Sequence, residues 1–467
     1  MEEEFDDFTE EQVEALVSRF ELAVGNAQSP YFDIEEFEEI IDYYDLNQNS
    51  KKLDMAIKTA ATIFPSHIHF RIKEAQRLIS AKRYNQAIDL LHVLLGIEPN
   101  NAMIRQTLAY SYSRMGKHKK AIDTYQETIE LGADTKEIWV NIAYEYESIN
   151  QYKEAVEYLK KVIEEDPEDD GALYEILFCY EVDGRKEESL EYFKNFVDDN
   201  PYSHVGWFNL GISYSNLELF EKAVQAYDYT LAIEDDFSSA YFNKANALIN
   251  LKDYTEAIVN FKETFTLEEP DGVTHLYIGQ CYENLEDFDM AIKHYFKALE
   301  VNDKIVEAYI NISLVYFNLE NYTKALPFIM EGIQIEPENT EYQYILGDIY
   351  AEMDRYEEAA EVYQNILLKA PENDEIYFDL AGIYWNMDEP KLAFDILDTG
   401  IKYSKDNFRN FVRYAEFYYE QGNINMCINY LSIAININPA ESLELITGMT
   451  QLMEDETVLD LIKDKGL

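Results

Sequence analysis

Residues 207–231 read WFNLGISYSNLELFEKAVQAYDYTL, and this stretch decides the fold. Its first half places a bulky residue, a leucine and a glycine at Trp207, Leu210 and Gly211, which is the spacing of one face of an α-helix. Tyr214 extends that face by another turn. Because Gly211 is small, a second helix can approach closely there while larger residues fill the space on either side. The stretch predicts a helix packed tightly against a neighbour.

The neighbour is predicted to follow directly in the chain, from about Glu221 to Ile233, with the small residue Ala223 on its inner face. Alanine recurs at this position at one constant spacing, with a single gap of twice that spacing. The recurring alanines are Ala87, Ala121, Ala155, Ala223, Ala257, Ala291, Ala325, Ala359 and Ala393. Ser189 fills the missing place, and the frame extends to Leu53 and Cys427. It predicts twelve units without insertion or deletion.

Two further series share this period. Nine residues before each alanine position the chain carries Tyr44, Leu78, Tyr112, Tyr146, Tyr180, Tyr214, Leu248, Tyr282, Tyr316, Tyr350, Tyr384 and Tyr418. Twelve residues after it, seven units carry proline, at Pro65, Pro99, Pro167, Pro201, Pro337, Pro371 and Pro439. A proline there ends the second helix and turns the chain into the next unit.

The period and these motifs resemble the tetratricopeptide repeat over residues 34–441. The resemblance implies an all-α fold, a right-handed α-solenoid superhelix of tandem helix hairpins, with the first helix of each unit lining a concave groove. Residues 1–33 are predicted to form an acidic segment with a capping helix between Thr9 and Ala27, and residues 442–467 a second capping helix.

Composition restricts the function. The formal net charge of −53 repels nucleic acid and anionic membrane surfaces, so neither is an expected partner. The charge either favours neutral to basic protein partners or only keeps a long molecule soluble. The sequence shows no signal peptide and no membrane-spanning stretch, and its three cysteines do not suggest a disulfide framework, so we expect a cytoplasmic protein.

The chemistry of an enzyme is not evident in the sequence. His67 and His69 form a weak metal motif without accompanying ligands, and a turn between helices explains them equally well. There is no phosphate-binding glycine loop and no nucleophile elbow. We therefore expect no enzymatic activity, no cofactor and no metal.

The groove implied by the resemblance is predicted to hold a partner where its lining is uncharged. Its lining positions are the second, fifth, sixth, ninth, twelfth and thirteenth residues of each unit, and none is charged in units six and seven, which begin at His204 and Ser238. The candidate binding residues are Phe208, Asn209, Ile212, Asn216, Phe242, Asn243, Asn246, Asn250, Tyr277, Gln280, Asn284, Asn311, Phe317 and Asn318. The same positions are acidic on either side, for example at Glu147 and Asp379.

The repeated asparagines suit a peptide ligand because an amide both donates and accepts a hydrogen bond. Similar asparagine series hold extended peptides in the superhelix of protein O-glycosyltransferases. Asparagine is also common at the sixth position of this repeat for other reasons. The lysine, asparagine and arginine clamp of chaperone-tail-binding relatives is missing, so an acidic chaperone C-terminus is not an expected partner.

The sequence thus predicts a non-enzymatic scaffold that holds a protein or peptide in this groove, with the candidate side chains on its surface. The alternative is a structural subunit that assembles through its ends or wraps a folded partner.

Overall fold

The computed structural model describes residues 9–25, 31–133, 135–404 and 407–465. Within these ranges the chain forms 28 helices and no β-strand, and 80% of the described residues are helical. The prediction of an all-α fold built from tandem helix pairs is confirmed.

Twelve helices, which we call the first helices, begin at one constant spacing along the chain. They are α2 (Ile34–Leu46), α4 (Ile68–Ser80), α6 (Ala102–Arg114), α8 (Lys136–Glu147), α10 (Asp170–Val182), α12 (His204–Asn216), α14 (Ser238–Asn250), α16 (Gly272–Asn284), α18 (Val306–Asn318), α20 (Thr340–Glu352), α22 (Asp374–Asn386) and α24 (Phe408–Glu420).

Each first helix is followed by a second helix with the same period. These second helices are α3 (Ser50–Ile63), α5 (Tyr84–Ile97), α7 (His118–Glu130), α9 (Tyr152–Glu165), α11 (Lys186–Asp199), α13 (Phe220–Ile233), α15 (Tyr254–Leu267), α17 (Phe288–Val301), α19 (Tyr322–Ile335), α21 (Tyr356–Lys369), α23 (Pro390–Tyr403) and α25 (Ile424–Ile437). Pro327 lies inside α19.

The turn from first to second helix has one backbone requirement in every pair. One residue adopts a left-handed φ, and it stands at the same position of each unit from Gln48 to Gly422. Gly116, Gly184 and Gly422 meet this requirement without steric cost, whereas the other nine pairs use residues with a β-carbon, such as Glu218 at φ 58°. The turn is therefore imposed by packing of the helices rather than by local preference.

The chain divides into two compact units, Met1–Ala240 and Tyr241–Leu467. In the first unit, α1 (Glu10–Gly25) buries Phe20 among the rings of Phe32, Phe37 and Tyr44. Asn26 and Ala27, the end of the predicted N-terminal helix, lie outside the described residues. The recurring alanines Ala87, Ala121, Ala155 and Ala223 are fully buried, as are their counterparts in the second unit.

In the second unit the chain ends in three helices, α26 (Pro439–Gly448), α27 (Thr450–Met453) and α28 (Glu456–Asp464), rather than in the single capping helix that the sequence predicted. Asn438 caps α26 and Asp455 caps α28 through side-chain oxygens that accept backbone N–H groups. Ile446, Leu452 and Val458 are buried in one cluster with α25. Because the turns between them are short, each of the three helices contributes a buried apolar residue to that cluster.

Candidate functional site

The expectation that Phe208 and Asn209 lie on an accessible surface is wrong. Phe208 is 5% exposed and Asn209 is fully buried. The Asn209 amide nitrogen donates a 3.0 Å hydrogen bond to the backbone carbonyl of Leu173 in α10, so this side chain joins two neighbouring first helices. Asn209 therefore contributes to the packing between α10 and α12 rather than to an accessible surface.

The burial of Phe208 follows from the glycine beside it. A β-carbon at Gly211 would overlap the ring of Tyr227, so the tyrosine crosses the first helix at that point. The Tyr227 ring then lies 5.9 Å from the ring of Phe208, and Phe237 lies 4.9 Å away on another side. The same small residue that permits close helix packing thus encloses the neighbouring aromatic side chain.

The other two candidates of the first unit are partly accessible. Ile212 is half-buried, and Asn216 is half-buried with its amide nitrogen 2.7 Å from Glu181 Oε1, to which it donates a hydrogen bond. The Asn216 amide is therefore anchored to the preceding first helix.

In the second unit, two candidates belong to one aromatic cluster. The rings of Phe242 and Tyr277 pack edge to face at 5.8 Å, and Tyr277 stacks at 5.7 Å on Phe261, which is fully buried. Both candidate rings are half-buried. Both rings pack on Phe261 of α15, and this contact links the first helices α14 and α16.

Three predicted amide residues surround one cavity. Gln280 and Asn284 of α16 and Asn311 of α18 line a space of about 230 Å³ together with Ile249, Tyr254, Cys281 and Glu283. The Asn284 amide nitrogen donates a 2.9 Å hydrogen bond to the carbonyl of Gln280, one turn earlier in the same helix. One of its two N–H groups is thus used, and its oxygen remains as an acceptor.

The remaining asparagines are placed less uniformly. Asn250 is exposed, and its amide nitrogen donates to the carbonyl of Asn246 at 2.9 Å, as Asn284 does to Gln280. Asn243 and Asn246 are half-buried and Asn318 is exposed. The asparagines of the series therefore do not all offer the same pair of donor and acceptor groups. The side chains of Asn250 and Asn284 donate hydrogen bonds to backbone carbonyls of their own helices.

Phe317 lines a larger, acidic cavity of about 450 Å³ farther along the second unit. Five carboxylates border it, from Asp348, Glu352, Asp379, Glu416 and Glu420. Its aromatic wall is the Trp385 indole, which stacks on Phe417 at 4.1 Å. The Trp385 Nε1–H donates to Glu420 Oε2 at 2.6 Å.

Two of these carboxylates are held by tyrosines. Tyr363 donates a 2.5 Å hydrogen bond to Asp348, and Tyr344 donates a 2.7 Å hydrogen bond to Asp379. Burial raises the pKa of the Asp348 carboxyl to about 6, against the opposing hydrogen bond from Tyr363. Burial also raises the pKa of Asp379, against its hydrogen bond from Tyr344 and the nearby charge of Arg413.

Arg413 is the cation in the lining of this cavity, and its hydrogen bonds are largely used within the fold. Its guanidinium carbon lies 3.5 Å from the centre of the Phe378 ring, its Nε donates to the Phe378 carbonyl, and one terminal nitrogen lies 2.6 Å from Glu416. The sequence reasoning missed Trp385 and Arg413. Both stand at the groove-lining positions already defined, the twelfth and the sixth of their units, so the same positional count would have found them.

Other reactive groups are enclosed. Cys179, Cys281 and Cys427 are free and buried, and burial is the main cause that raises their thiol pKa values. Among the described residues, no group of three or more histidine, cysteine or acidic side chains has the arrangement of a metal site. None of the described helices has both the length and the apolar character needed to cross a bilayer.

Family models for the tetratricopeptide repeat match the chain at residues 78–140, 136–169, 238–270, 273–304, 306–339 and 350–409, which together exceed half of its length. No curated protein matches the sequence.

Several solved structures match this chain at low sequence identity. The C-terminal part of a TPR repeat-containing protein from Cytophaga hutchinsonii is 15% identical, with a TM-score of 0.45, over 55% of this chain and 99% of that one. The APC/C hetero-tetramer Cut9–Hcn1 is 12% identical, with a TM-score of 0.38, over 86% of this chain and 92% of that one. YrrB, described as a TPR protein with an unusual peptide-binding site, is 21% identical, with a TM-score of 0.34, over 39% of this chain and 95% of that one. The family-model matches, together with helix pairs that recur with one constant period, show that this chain belongs to the tetratricopeptide repeat family.

Proposed function

We propose that this chain is a non-enzymatic, cytoplasmic scaffold that holds a peptide segment of a protein partner against the first helices of its repeats. The observation that carries the proposal is the 230 Å³ cavity of the second unit, where Gln280, Asn284 and Asn311 converge from two first helices. Amides on neighbouring helices can pair with both the N–H and the C=O groups of an extended backbone. The flanking helices α1 and α26–α28 act in this proposal as caps of the repeat array.

The aromatic cluster supplies the apolar part of the proposed site. Phe242 and Tyr277 are half-buried and rest on the buried Phe261, so their exposed edges are rigidly positioned. Rigid aromatic side chains lose little conformational freedom on binding, and they are frequent among the residues that contribute most to affinity. A partner side chain that packs on these edges would set the register of the backbone beside the amides.

The charge of the acidic cavity farther along the second unit favours a neutral to basic partner. The acidic cavity at Phe317 brings five carboxylates and one arginine to its wall, and that arginine is paired with Glu416. An acidic chaperone C-terminus or a nucleic acid would place further negative charge against these groups without a free cation to receive it. A lysine or arginine of the partner would lower the cost of keeping the half-buried carboxylates charged.

Substitution of the amides tests the proposal. Gln280→Ala combined with Asn311→Ala should weaken binding of the partner that copurifies with the full chain by at least tenfold, measured by titration calorimetry with the purified partner. The melting temperature should change little, because both side chains are partly accessible. Asn429→Ala, which removes an exposed amide on the second helix α25, is the matched control and should bind as wild type does.

A partner that binds the double variant with wild-type affinity would exclude the amide cavity. If removal of α26–α28 abolished binding while the double variant bound normally, the alternative would gain support, namely a structural subunit that assembles through its ends.

A further inference from the structure

Three aromatic side chains of the first unit are exposed at the same position of three consecutive first helices. Tyr110 on α6, Tyr144 on α8 and Phe178 on α10 are 47%, 48% and 47% exposed. We call these three residues the aromatic stripe. Large apolar side chains that recur in register on a surface differ from the scattered exposed residues of any soluble protein.

The stripe is bordered by two carboxylates that have no cation. Glu147 of α8 and Glu175 of α10 are half-buried, and neither forms an ion pair with any residue that the structure describes. The polar contact of Glu147 is a 3.5 Å hydrogen bond that it accepts from the Cys179 thiol. A thiol is a weak donor, so the charge of this carboxylate is poorly compensated.

The one basic side chain that α8 and α10 carry is already paired. Lys136, the only lysine or arginine of α8, contacts both Asp166 and Asp169 at 2.6 Å, and α10 contains no lysine or arginine. The stripe therefore combines apolar rings with uncompensated negative charge.

The electrostatic state of Glu147 agrees with this geometry. Burial raises the pKa of the Glu147 carboxyl to about 7, and the negative charge of Glu175 adds to the effect. Burial also raises the pKa of Glu175. A cation placed between the two groups would favour their charged forms.

A cavity of about 530 Å³ adjoins the stripe at Tyr110. Its wall carries the amides of Gln76, Gln106 and Asn141 and a single carboxylate, that of Glu137. The cavity offers hydrogen-bonding groups for a backbone beside the exposed ring.

We propose that the aromatic stripe is a docking surface for a basic, amphipathic segment of a protein partner. Apolar side chains of the segment pack on Tyr110, Tyr144 and Phe178, and its lysines or arginines pair with Glu147 and Glu175. Charge complementarity selects this occupant, because an acidic segment would meet Glu147 and Glu175 without an unpaired cation on α8 or α10. The exposed Arg114 lies in the last turn of α6, beyond Tyr110. This surface lies wholly in the first unit and is independent of the amide cavity proposed above.

The probe is a fluorescent peptide in which leucines and lysines alternate at helical spacing, and its counterpart carries glutamate at every lysine position. The full chain should bind the lysine peptide and not the glutamate peptide, measured by fluorescence anisotropy. Tyr144→Ser combined with Phe178→Ser should weaken binding at least tenfold, whereas Tyr202→Ser, at a ring that is 86% exposed elsewhere in the first unit, should leave it unchanged. Gln280→Ala with Asn311→Ala should also bind the probe normally, which separates this surface from the amide cavity.

A second measurement tests whether Glu147 is the carboxylate that pairs with the lysines of the peptide. Calorimetric titrations near pH 6.5, in buffers of different ionisation enthalpy, should show proton release when the lysine peptide binds to wild type and less release with Glu147→Gln. Absence of binding to wild type, or equal binding by the stripe variant and wild type, would overturn the proposal. Equal proton release by wild type and Glu147→Gln would overturn the assignment of the cation site to Glu147.

Discussion

The ring of Tyr363 occupies the space that a side chain at position 347 would fill, so Gly347 has no room for a β-carbon. The same relation joins Gly211 to Tyr227 and Gly279 to Tyr295, in each case at the same sequence separation. Units with alanine at the glycine position can carry a smaller partner, such as Leu397 opposite Ala381. In these three units the tyrosine ring lies in the space that a β-carbon would need, whereas Tyr125 stands at the same separation from Ala109.

Gly347→Ala should lower the free energy of unfolding by about 1–3 kcal/mol, because the added methyl group overpacks a filled site. Adding Tyr363→Leu should recover part of this loss, since alanine and leucine already form this pair at Ala381 and Leu397. Chemical denaturation of the full chain measures both effects.

The matched control is Gly96→Ala in α5, where a β-carbon would meet no atom within 4 Å. This substitution should be neutral or stabilising by up to about 1 kcal/mol, because alanine is the better helix former. A loss of stability at position 96 equal to that at position 347 would contradict the packing explanation.

The turn between paired helices gives a second prediction. Gly184→Ala should destabilise the protein by about 1 kcal/mol or more, because Gly184 has a φ of 69°. Glu218→Gly should be neutral or mildly stabilising. Glycine relieves the backbone strain at φ 58°, but it also increases the conformational entropy of the unfolded chain, which opposes this gain. The melting temperature should fall for Gly184→Ala and should stay level or rise for Glu218→Gly, and a fall for both variants would argue against the turn requirement.

The pKa of Glu147 predicts how stability depends on pH. Its folded-state value of about 7 lies above the ordinary 4.5, so the folded protein binds this proton more tightly than the unfolded chain. Its contribution to stability is therefore fully present below pH 4.5 and is lost as the pH rises through 7. Glu147→Gln should be more stable than wild type at pH 8, and this advantage should shrink towards pH 4.5.

Denaturation of both proteins across this range measures the difference. Glu191→Gln, at an exposed position of α11, is the control and should show no comparable trend. A constant difference between Glu147→Gln and wild type at all pH values would contradict the assignment.

The charge of the chain predicts that partner affinity depends on salt. Exposed charges are screened beyond about 8 Å at physiological ionic strength, so a basic partner that uses the acidic surfaces should bind more weakly as salt rises. Titrations of the copurified partner at increasing sodium chloride concentration measure this dependence. An affinity that does not change would leave the −53 charge with a role in solubility alone.

The fold was predictable because its determinants are periodic. The alanine and tyrosine series predicted the helix pairs, and the buried alanines confirm the face on which the helices meet. The accessibility of Phe208 was not predictable in the same way. It depends on where the Tyr227 ring passes, which is a contact between two helices rather than a property of the position in the repeat.

The candidate site was likewise only partly predictable from the sequence. Gln280, Asn284 and Asn311 do meet at one cavity, as their positions in the repeat suggested. Asn209 instead bonds the Leu173 carbonyl, because a buried amide must find a partner within the fold. The aromatic stripe stands at the ninth position of its units, which is one of the groove-lining positions, and it was missed because the candidate site was sought where the lining is uncharged.

Hydrogen–deuterium exchange of the full chain with and without its copurified partner tests the scaffold proposal most directly. Binding against the first helices should slow exchange in α16 and α18, around Gln280 and Asn311, and leave the second helices α17 and α19 unchanged. Protection confined to second helices, or to α1 and α26–α28, would contradict the proposal that the first helices hold the partner.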